Sequence, residues 1–336
     1  MQPSSGQPRF YTLLRQKGIL DHPLCWTSRH LDIVGCQFQD AITSPTASGP
    51  DNSIASLDCT GRANIERGSC LEAERLAKSC APRVKYCILT NILSCEGNPF
   101  EEHSDSIPFY FAGQVVHRPR CVTFRRRQHA TQPTYHASGP LVGYLDYSAI
   151  NQSRRERLQP RQHPGGGINA AGCSLFRKKL SHIVPKDWTH DPYLLCVLLS
   201  FGQLQERLLH SPQATNHLSR LLVTNASDSE SIYLYEAHIS SGILRMLDSP
   251  STTTFVNWPT IQRRRIPFHP FKTFKHRLLG ALLGPDNLQN QGSLRPNIYA
   301  DAIVARKLKQ QHDAESDHKR ILKRRLSLDD KDQIQA

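Results

Sequence analysis

The chain has 336 residues, a net charge of +13, a hydrophobic share of 38% and a mean hydropathy of −0.48. This length allows two domains, but the low hydrophobic share indicates that a packed core does not extend along the whole chain. No stretch before Pro23 has the pattern of a signal peptide, and the longest dense apolar run, Tyr193 to Phe201, is too short to cross a bilayer. We therefore expect an intracellular protein, nuclear or cytoplasmic and not secreted, without a membrane partner.

The first 150 residues predict a loosely specified α+β region. The predicted helices are Phe10–Leu20 and Ser69–Ala77, and the predicted strands are Val84–Leu93, Ile107–Val116, Cys121–Phe124 and Ala137–Tyr147. Residues 151–176 follow with many charges, two prolines and three consecutive glycines, a composition that is typical of a linker. We therefore place a domain boundary in this segment.

The ten cysteines do not form a recognisable metal site. No two of them are three residues apart, so the chain lacks the paired spacing of zinc ribbons and redox motifs. A mixed set such as Cys121, His129 and His136 remains an alternative, although its spacing matches no known pattern. We expect reduced thiols with a structural role and no bound cofactor.

The positive charge is concentrated in the middle of the chain. Residues 116–180 carry 12 basic and 2 acidic side chains, a net charge of +10. Guanidinium groups bind phosphate through paired hydrogen bonds, so residues 118–179 predict contact with nucleic acid or another polyanion. The alternative is a solvated basic linker. The candidate polyanion-binding residues are Arg118, Arg120, Arg125, Arg126, Arg127, Arg154, Arg155 and Arg157.

Residues 177–288 predict a small α+β module, with its α-β-β-α-β-α core at 181–285. Its first helix starts at Asp191 and repeats apolar residues at helical spacing. A hairpin of Leu221–Thr224 and Ser231–Ile239 follows, then a short helix from Ser241. The last elements are a basic strand, Thr260–Pro267, which we expect at a sheet edge, and a helix from Phe271 to Leu282. We expect Leu194, Val197, Leu198, Phe201, Leu222 and Leu234 in the core.

Three stretches of this module resemble a family of uncharacterised proteins from filamentous fungi. They are Lys178–Tyr193, Leu222–Asp228 and Arg265–Phe271, so the resemblance covers about residues 178–284. The resemblance implies where the module begins and ends. It implies no activity and identifies no site residues, because no activity is known for the family.

Two catalytic patterns are incomplete in this chain. The segment Gly167–Ser174 has the spacing of a phosphate-binding loop, but Cys173 replaces the lysine that would neutralise the phosphates. A metal-dependent nuclease places an acid and an E-x-K triplet on a hairpin. Here Asp228 and Glu236 fit only loosely, and His238 replaces the lysine. No nucleophile elbow is present either, so we predict no catalytic centre.

Residues 289–336 predict a charged tail that is helical in part or disordered. It contains a basic cluster typical of a nuclear localisation signal, and Ser327 follows this cluster as a candidate phosphorylation site. The candidate localisation residues are Lys319, Arg320, Lys323, Arg324 and Arg325. Taken with the module, these features favour a non-catalytic interaction protein. The alternative is a nuclear, nucleic-acid-associated protein with a degenerate nuclease-like core.

Overall fold

The computed structural model describes most of residues 22–284. The described ranges are 22–41, 59–95, 97–104, 107–127, 141–163, 165–167, 169–209, 216–250 and 256–284. The helices are α1 (Ser28–Val34), α2 (Cys59–Lys78), α3 (Pro82–Ser94), α4 (Tyr147–Leu158), α5 (Ala170–Ile183), α6 (Tyr193–Leu209), α7 (Ser241–Asp248) and α8 (Phe271–Leu283). The strands are β1 (Gln37–Asp40), β2 (Phe100–Ser104), β3 (Phe109–Phe111), β4 (Gln114–His117), β5 (Val122–Arg126), β6 (Leu141–Asp146), β7 (Asn216–Asn225), β8 (Asp228–Ser240) and β9 (Thr260–Pro267). Short 3-10 helices lie at Pro23–Cys25 and Trp188–His190.

Seven of these strands form one mixed sheet in the order β1-β9-β8-β7-β6-β5-β2. The pairs β1–β9 and β6–β7 are parallel, and the other neighbours are antiparallel. The strands β3 and β4 form a separate hairpin, whose turn residues Ala112 and Gly113 both have positive φ. That geometry matches the twist of a tight hairpin. The α+β class is confirmed.

The helices cover both faces of the large sheet. On one face α6 and α7 pack with Tyr147 and Ile150 of α4, and Phe201 lies at the centre of that core. On the other face α2, α3 and α8 pack against a second core that contains Phe124 and Phe274. Helices on both faces explain why successive residues of β8, such as Leu234 and Tyr235, are both fully buried.

The helices and strands predicted for residues 191–283 are present, close to their expected bounds. All six residues that we expected in the core of this module are fully buried, at 0% exposure. The backbone N–H of Tyr193 donates to the Asp191 carboxylate at 2.9 Å, so Asp191 caps α6 as its position indicated. The hairpin is longer than predicted, since β7 and β8 include polar residues beyond the apolar runs.

The prediction of a separate N-terminal region is wrong. Strands β1, β2, β5 and β6 come from the first 150 residues, yet they extend the same sheet as the module. Strand β1 pairs with β9, so β9 is not the edge strand that its three arginines indicated. The sequence Gln37–Asp40 has one apolar residue in four and therefore carries no strand pattern of its own.

Two further segments differ from the sequence-based prediction. Residues 84–93, predicted as a strand, belong to helix α3, which buries Ile88, Leu89, Ile92 and Leu93. This spacing places the four side chains on one helical face, and Pro82 suits the first turn. The predicted linker 151–176 contains most of α4 and the start of α5. The predicted helix Phe10–Leu20 and the tail 289–336 lie outside the described residues.

Candidate functional site

A basic cleft opens where α4, the segment after β4 and the start of α6 meet. Its volume is about 660 Å³, within the usual range for small-ligand sites. The cations on its walls are Arg118, Arg120 and Arg157, and all three are exposed. Sequence analysis selected these three arginines, and the fold brings them together across 40 residues of chain.

One carboxylate, that of Glu156, lines the described part of this cleft. It lies 3.5 Å from Arg120 and also accepts a hydrogen bond from Gln152 at 2.9 Å. The side chains of Arg120 and Glu156 are 69% and 46% exposed, so water and salt screen this ion pair strongly. The cleft therefore keeps a positive field, with three cations against one acid.

Two histidines form the floor of the basic cleft, and we call them the imidazole pair. The rings of His22 and His117 meet edge to face, with their centroids 4.5 Å apart. The nitrogen Nε2 of His117 lies 2.8 Å from the hydroxyl of Tyr193, the first residue of α6. The backbone N–H of Leu24 donates to Nδ1 of His22 at 3.3 Å. These contacts fix both rings against the cleft.

The imidazole pair is uncharged at neutral pH. Burial lowers the pKa of His22 to about 4, and the charge of Arg157 lowers it in the same direction. Burial also lowers the pKa of His117 to about 4, with further contributions from His22, Arg157 and Arg120. Both causes disfavour a positively charged ring. The cleft thus offers neutral imidazole groups beside permanently charged guanidinium groups.

A fully buried ion pair lies beneath the cleft and holds its walls together. The guanidinium of Arg154 donates two hydrogen bonds to Asp191, at 2.6 and 2.8 Å, and both side chains are 0% exposed. Its Nε donates to the backbone carbonyl of Leu24 at 2.8 Å, while the Tyr147 hydroxyl donates to Asp191 at 2.7 Å. One guanidinium therefore joins α4, the start of α6 and the segment that carries His22.

Exposed cations continue from the cleft onto α4, α5 and the segment between them, and we call them the helical basic surface. They are Arg155, Arg161, Arg177, Lys178 and Lys179. Asn169 caps α5, and its side chain accepts a hydrogen bond from the Gly172 N–H at 2.8 Å. Helix α5 packs against α4, but Ile183 is its one buried residue. Most of α5 therefore faces solvent with its charges displayed.

Four of the predicted polyanion-binding residues do not belong to this site. Arg154 is buried in its ion pair, so its selection was wrong. Arg125 pairs with Glu101 at 2.6 Å on the neighbouring strand β2, and Arg126 lies on the same strand as Arg125. Arg127 donates to the backbone carbonyls of Phe100 and Ser94, at 2.8 and 2.7 Å. These bonds connect β5 to β2 and α3, so Arg125 and Arg127 stabilise the fold.

The acids considered for a nuclease site are far apart. Asp228 and Glu236 both lie on β8, eight residues from each other, which corresponds to about 27 Å along a strand. Glu236 accepts a hydrogen bond from Arg220 at 2.7 Å and lies 4.0 Å from Arg264. Asp228 instead accepts the backbone N–H groups of Glu230 and Ser231, at 2.9 and 3.1 Å. Two carboxylates in these positions cannot share one cation.

A second buried polar cluster was not apparent from the sequence. The ammonium of Lys85 lies 3.7 Å from Asp146 and donates to the carbonyl of Asn225 at 3.2 Å. Thr224 donates to the same carboxylate at 2.8 Å and contacts the Tyr144 hydroxyl at 2.9 Å. Burial lowers the pKa of Lys85, while Asp146 opposes that shift. Lys85 and Asp146 are 1% and 2% exposed, so this cluster joins α3 to β6 and β7 and does not meet solvent.

The cysteines and the proposed metal set can be placed only in part. All nine cysteines that the structure describes are free thiols, and burial raises the pKa of Cys121 to about 12. Within the described ranges no group of three His, Cys, Asp or Glu side chains could hold a metal ion. His129, His136, the localisation residues and Ser327 lie outside those ranges, so their predicted roles stay predictions.

Comparison with known proteins adds no further assignment. No protein-family model, curated protein or solved structure matches this chain. The resemblance of residues 178–284 to filamentous-fungal proteins therefore stays a prediction. Among the described helices, none is both long enough and apolar enough to cross a membrane.

Proposed function

We propose that this protein is a non-catalytic binding protein whose partner is nucleic acid. The observation that carries the proposal is the placement of eight exposed cations in the basic cleft and on the helical basic surface. Five of them lie on α4, which packs against the large sheet, or on α5, which packs against α4, and the other three lie in the connecting segments. A solvated linker would leave all eight scattered. Arg154 lies between them in the sequence but points into the core. Its buried ion pair holds α4, which carries two of the exposed arginines, in place.

The chemistry of this surface fits phosphate better than carboxylate. Six of its eight exposed cations are arginines, and a guanidinium presents two parallel N–H groups to phosphate oxygens. Across residues 147–183 Glu156 is the one acid against seven basic residues. Few aromatic rings accompany these cations, so backbone contact is favoured over base stacking. We infer binding with little dependence on base sequence.

The non-catalytic part of the proposal rests on the positions of acids. Asp228 and Glu236, the nearest match to a nuclease motif, lie far apart on β8. The Glu236 carboxylate is already paired with Arg220 and Arg264. Among the described residues that line the basic cleft, Glu156 carries the one carboxylate, and Arg120 accompanies it. A metal-dependent phosphodiesterase needs at least two acids that converge on a cation. This arrangement supports binding and release of the nucleic acid without cleavage.

The test measures how affinity for nucleic acid depends on salt. Fluorescence anisotropy with a labelled 20-nucleotide strand and the matching duplex, from about 50 to 200 mM salt, gives the slope of log affinity against log salt. Replacing Arg118, Arg120 and Arg157 by Ala should weaken binding and reduce the slope by up to about 2 to 3 units. A poly-glutamate competitor should displace the strand poorly.

The matched control removes three cations from the opposite side of the sheet. Arg83 lies on α3, and Lys272 and Lys275 lie on α8. Replacing these three residues by Ala lowers the net charge by the same amount, and the salt slope should stay close to that of the unchanged protein. No binding to either oligonucleotide at 50 mM salt would refute the proposal. Equal losses in the two triple variants would also refute it, since only net charge would then matter.

A further inference from the structure

The imidazole pair lies where a phosphate bound between the three arginines would meet it. We propose that a phosphate group of the nucleic acid binds against His22 and His117, and that the pair takes up one proton as it binds. This inference rests on the proposed function and adds a regulation to it, because affinity for nucleic acid then rises as the pH falls. It makes the floor of the cleft a phosphate subsite distinct from the helical basic surface.

The hydrogen bonds of the two rings leave a donor for the phosphate. Since Nδ1 of His22 accepts the Leu24 N–H, the proton of the neutral His22 ring is on Nε2. His117 uses Nε2 for its contact with the Tyr193 hydroxyl, at 2.8 Å, which leaves its Nδ1 for a second partner. A phosphate on the floor can therefore receive a hydrogen bond from His22 first, and from His117 when that ring is protonated.

The charges around the pair explain why a proton is taken up on binding. In the free protein Arg157 and Arg120 disfavour a charged imidazole, and burial acts in the same direction. Arg118 adds positive charge at the wall, while Glu156 faces the cleft with a single negative charge that Arg120 accompanies. The Tyr193 hydroxyl is neutral, because burial raises its pKa well above the usual value. A bound phosphate places a negative charge next to the rings, so the positively charged form of a histidine becomes favoured.

The closeness of the rings limits the uptake to one proton. Their centroids are 4.5 Å apart, and a charge on one imidazole disfavours a charge on the other. Uptake of one proton strengthens affinity by up to about tenfold for each pH unit of decrease. This holds between the pKa of the histidine in the free protein, about 4, and its higher pKa in the complex.

The experiment measures the affinity for oligothymidylate with hydroxyl ends, at constant ionic strength, from pH 5 to pH 8. Neither thymine nor a phosphodiester titrates in this range, so the probe keeps its charge. Calorimetry in two buffers that differ in their enthalpy of protonation counts the protons taken up directly. For the unchanged protein we expect affinity to rise several-fold towards pH 5, with net proton uptake below pH 7.

His117→Gln is the main variant, because His117 is the ring that takes up the proton, and glutamine keeps a hydrogen-bond donor but cannot be charged. It should lose most of the gain in affinity between pH 8 and pH 5. His238→Gln is the matched control, since His238 is an exposed histidine of β8. This control should keep the full pH dependence and the full proton uptake.

The possible outcomes separate the two proposals. If His117→Gln, shown to be folded by circular dichroism, gains as much affinity at pH 5 as the unchanged protein, the imidazole pair does not take up the proton and the inference is overturned. The same holds if calorimetry on the unchanged protein detects no proton uptake while binding persists. If no oligonucleotide binds at any pH in low salt, the proposed function itself fails. His22→Gln gives a second test, since proton uptake should persist in this variant, where His117 is intact.

Discussion

Arg154 shows how a single side chain can decide the stability of the site without contacting a ligand. It is a fully buried cation with one fully buried carboxylate partner, Asp191, and its Nε–H donates to the backbone carbonyl of Leu24. Such a pair does not by itself increase stability over apolar residues of the same size. Losing one partner is costly, however, because the other charge stays buried without compensation.

We predict that Arg154→Met lowers the free energy of unfolding by about 3 to 5 kcal/mol, since it leaves Asp191 charged and buried. Urea denaturation followed by circular dichroism measures the change. Arg155→Met is the matched control on the exposed face of α4 and should change stability by about 0.5 kcal/mol or less. Adding Asp191→Leu to Arg154→Met should recover part of the loss. Similar stabilities for Arg154→Met and Arg155→Met would contradict this view of the pair.

The same contrast shows what residue type alone leaves open. Arg154 and Arg155 are neighbours of identical type, and sequence reasoning selected both as polyanion ligands. Their positions on α4 differ by one residue, about 100° of helical rotation, which turns one inward and the other outward. Which of the two arginines faces the core depends on where Asp191 lies, 37 residues further along the chain. Local composition holds no information about that partner.

At the scale of elements, β6 and α6 approach each other closely at one glycine. Gly143 of β6 lies against the Phe201 ring of α6, and a Cβ atom at this position would overlap that ring. Glycine is therefore required here by the approach of the helix to the sheet, although a glycine in a strand usually costs stability. The fully buried Phe201 fills the space that the missing side chain leaves.

We predict that Gly143→Ala lowers the free energy of unfolding by about 1 to 3 kcal/mol, because Phe201 must move out of its position. Thermal denaturation measures the effect. Gly68→Ala is the control, since Gly68 lies exposed on α2 with no atom near its Cβ position. That change should raise stability by up to about 1 kcal/mol. If both substitutions stabilise the protein, the contact is looser than the structure indicates.

The elements also differ in how well the sequence identified them. Strand β9 was predicted with its observed bounds, since Pro259 and Pro267 at its two ends are local signals. Its place in the sheet was wrong, because β1 pairs with it from 223 residues away in the chain. Helix α3 was predicted as a strand, because short runs rich in Val, Ile and Leu occur both in strands and in buried helices. The helical spacing of its four buried residues, which pack in the same core as Phe100 and Phe124, distinguishes the helix from a strand.

For the whole molecule, the main consequence is that the predicted module is not an independent domain. Strand β6 lies beside β7 in the same sheet, and β5 and β2 extend the sheet further. The ion pair of Arg154 and Asp191 and the cluster of Lys85 with Asp146 and Thr224 also cross the predicted boundary. These contacts bury charged groups that would otherwise be exposed or unpaired.

We predict that a fragment of residues 177–288 does not fold to a cooperative structure. Without β6 the long strand β7 becomes an uncovered edge, and Asp191 loses its buried partner. The measurement compares near-ultraviolet circular dichroism and thermal unfolding of the fragment with those of the full chain. The full chain should unfold in one main transition. A fragment with native-like signals and sharp unfolding would restore the original domain boundary.

The sequence by itself determined the local elements of residues 191–283 and the concentration of positive charge in residues 116–180. Both follow from patterns that are read within a few residues, such as helical spacing, strand alternation and net charge. Only the tertiary structure decided which arginines face solvent, and that His22 and His117 meet in one cleft, although 95 residues separate them. Burial and pairing are properties of contacts between distant segments, and no local pattern encodes the partner that each segment meets.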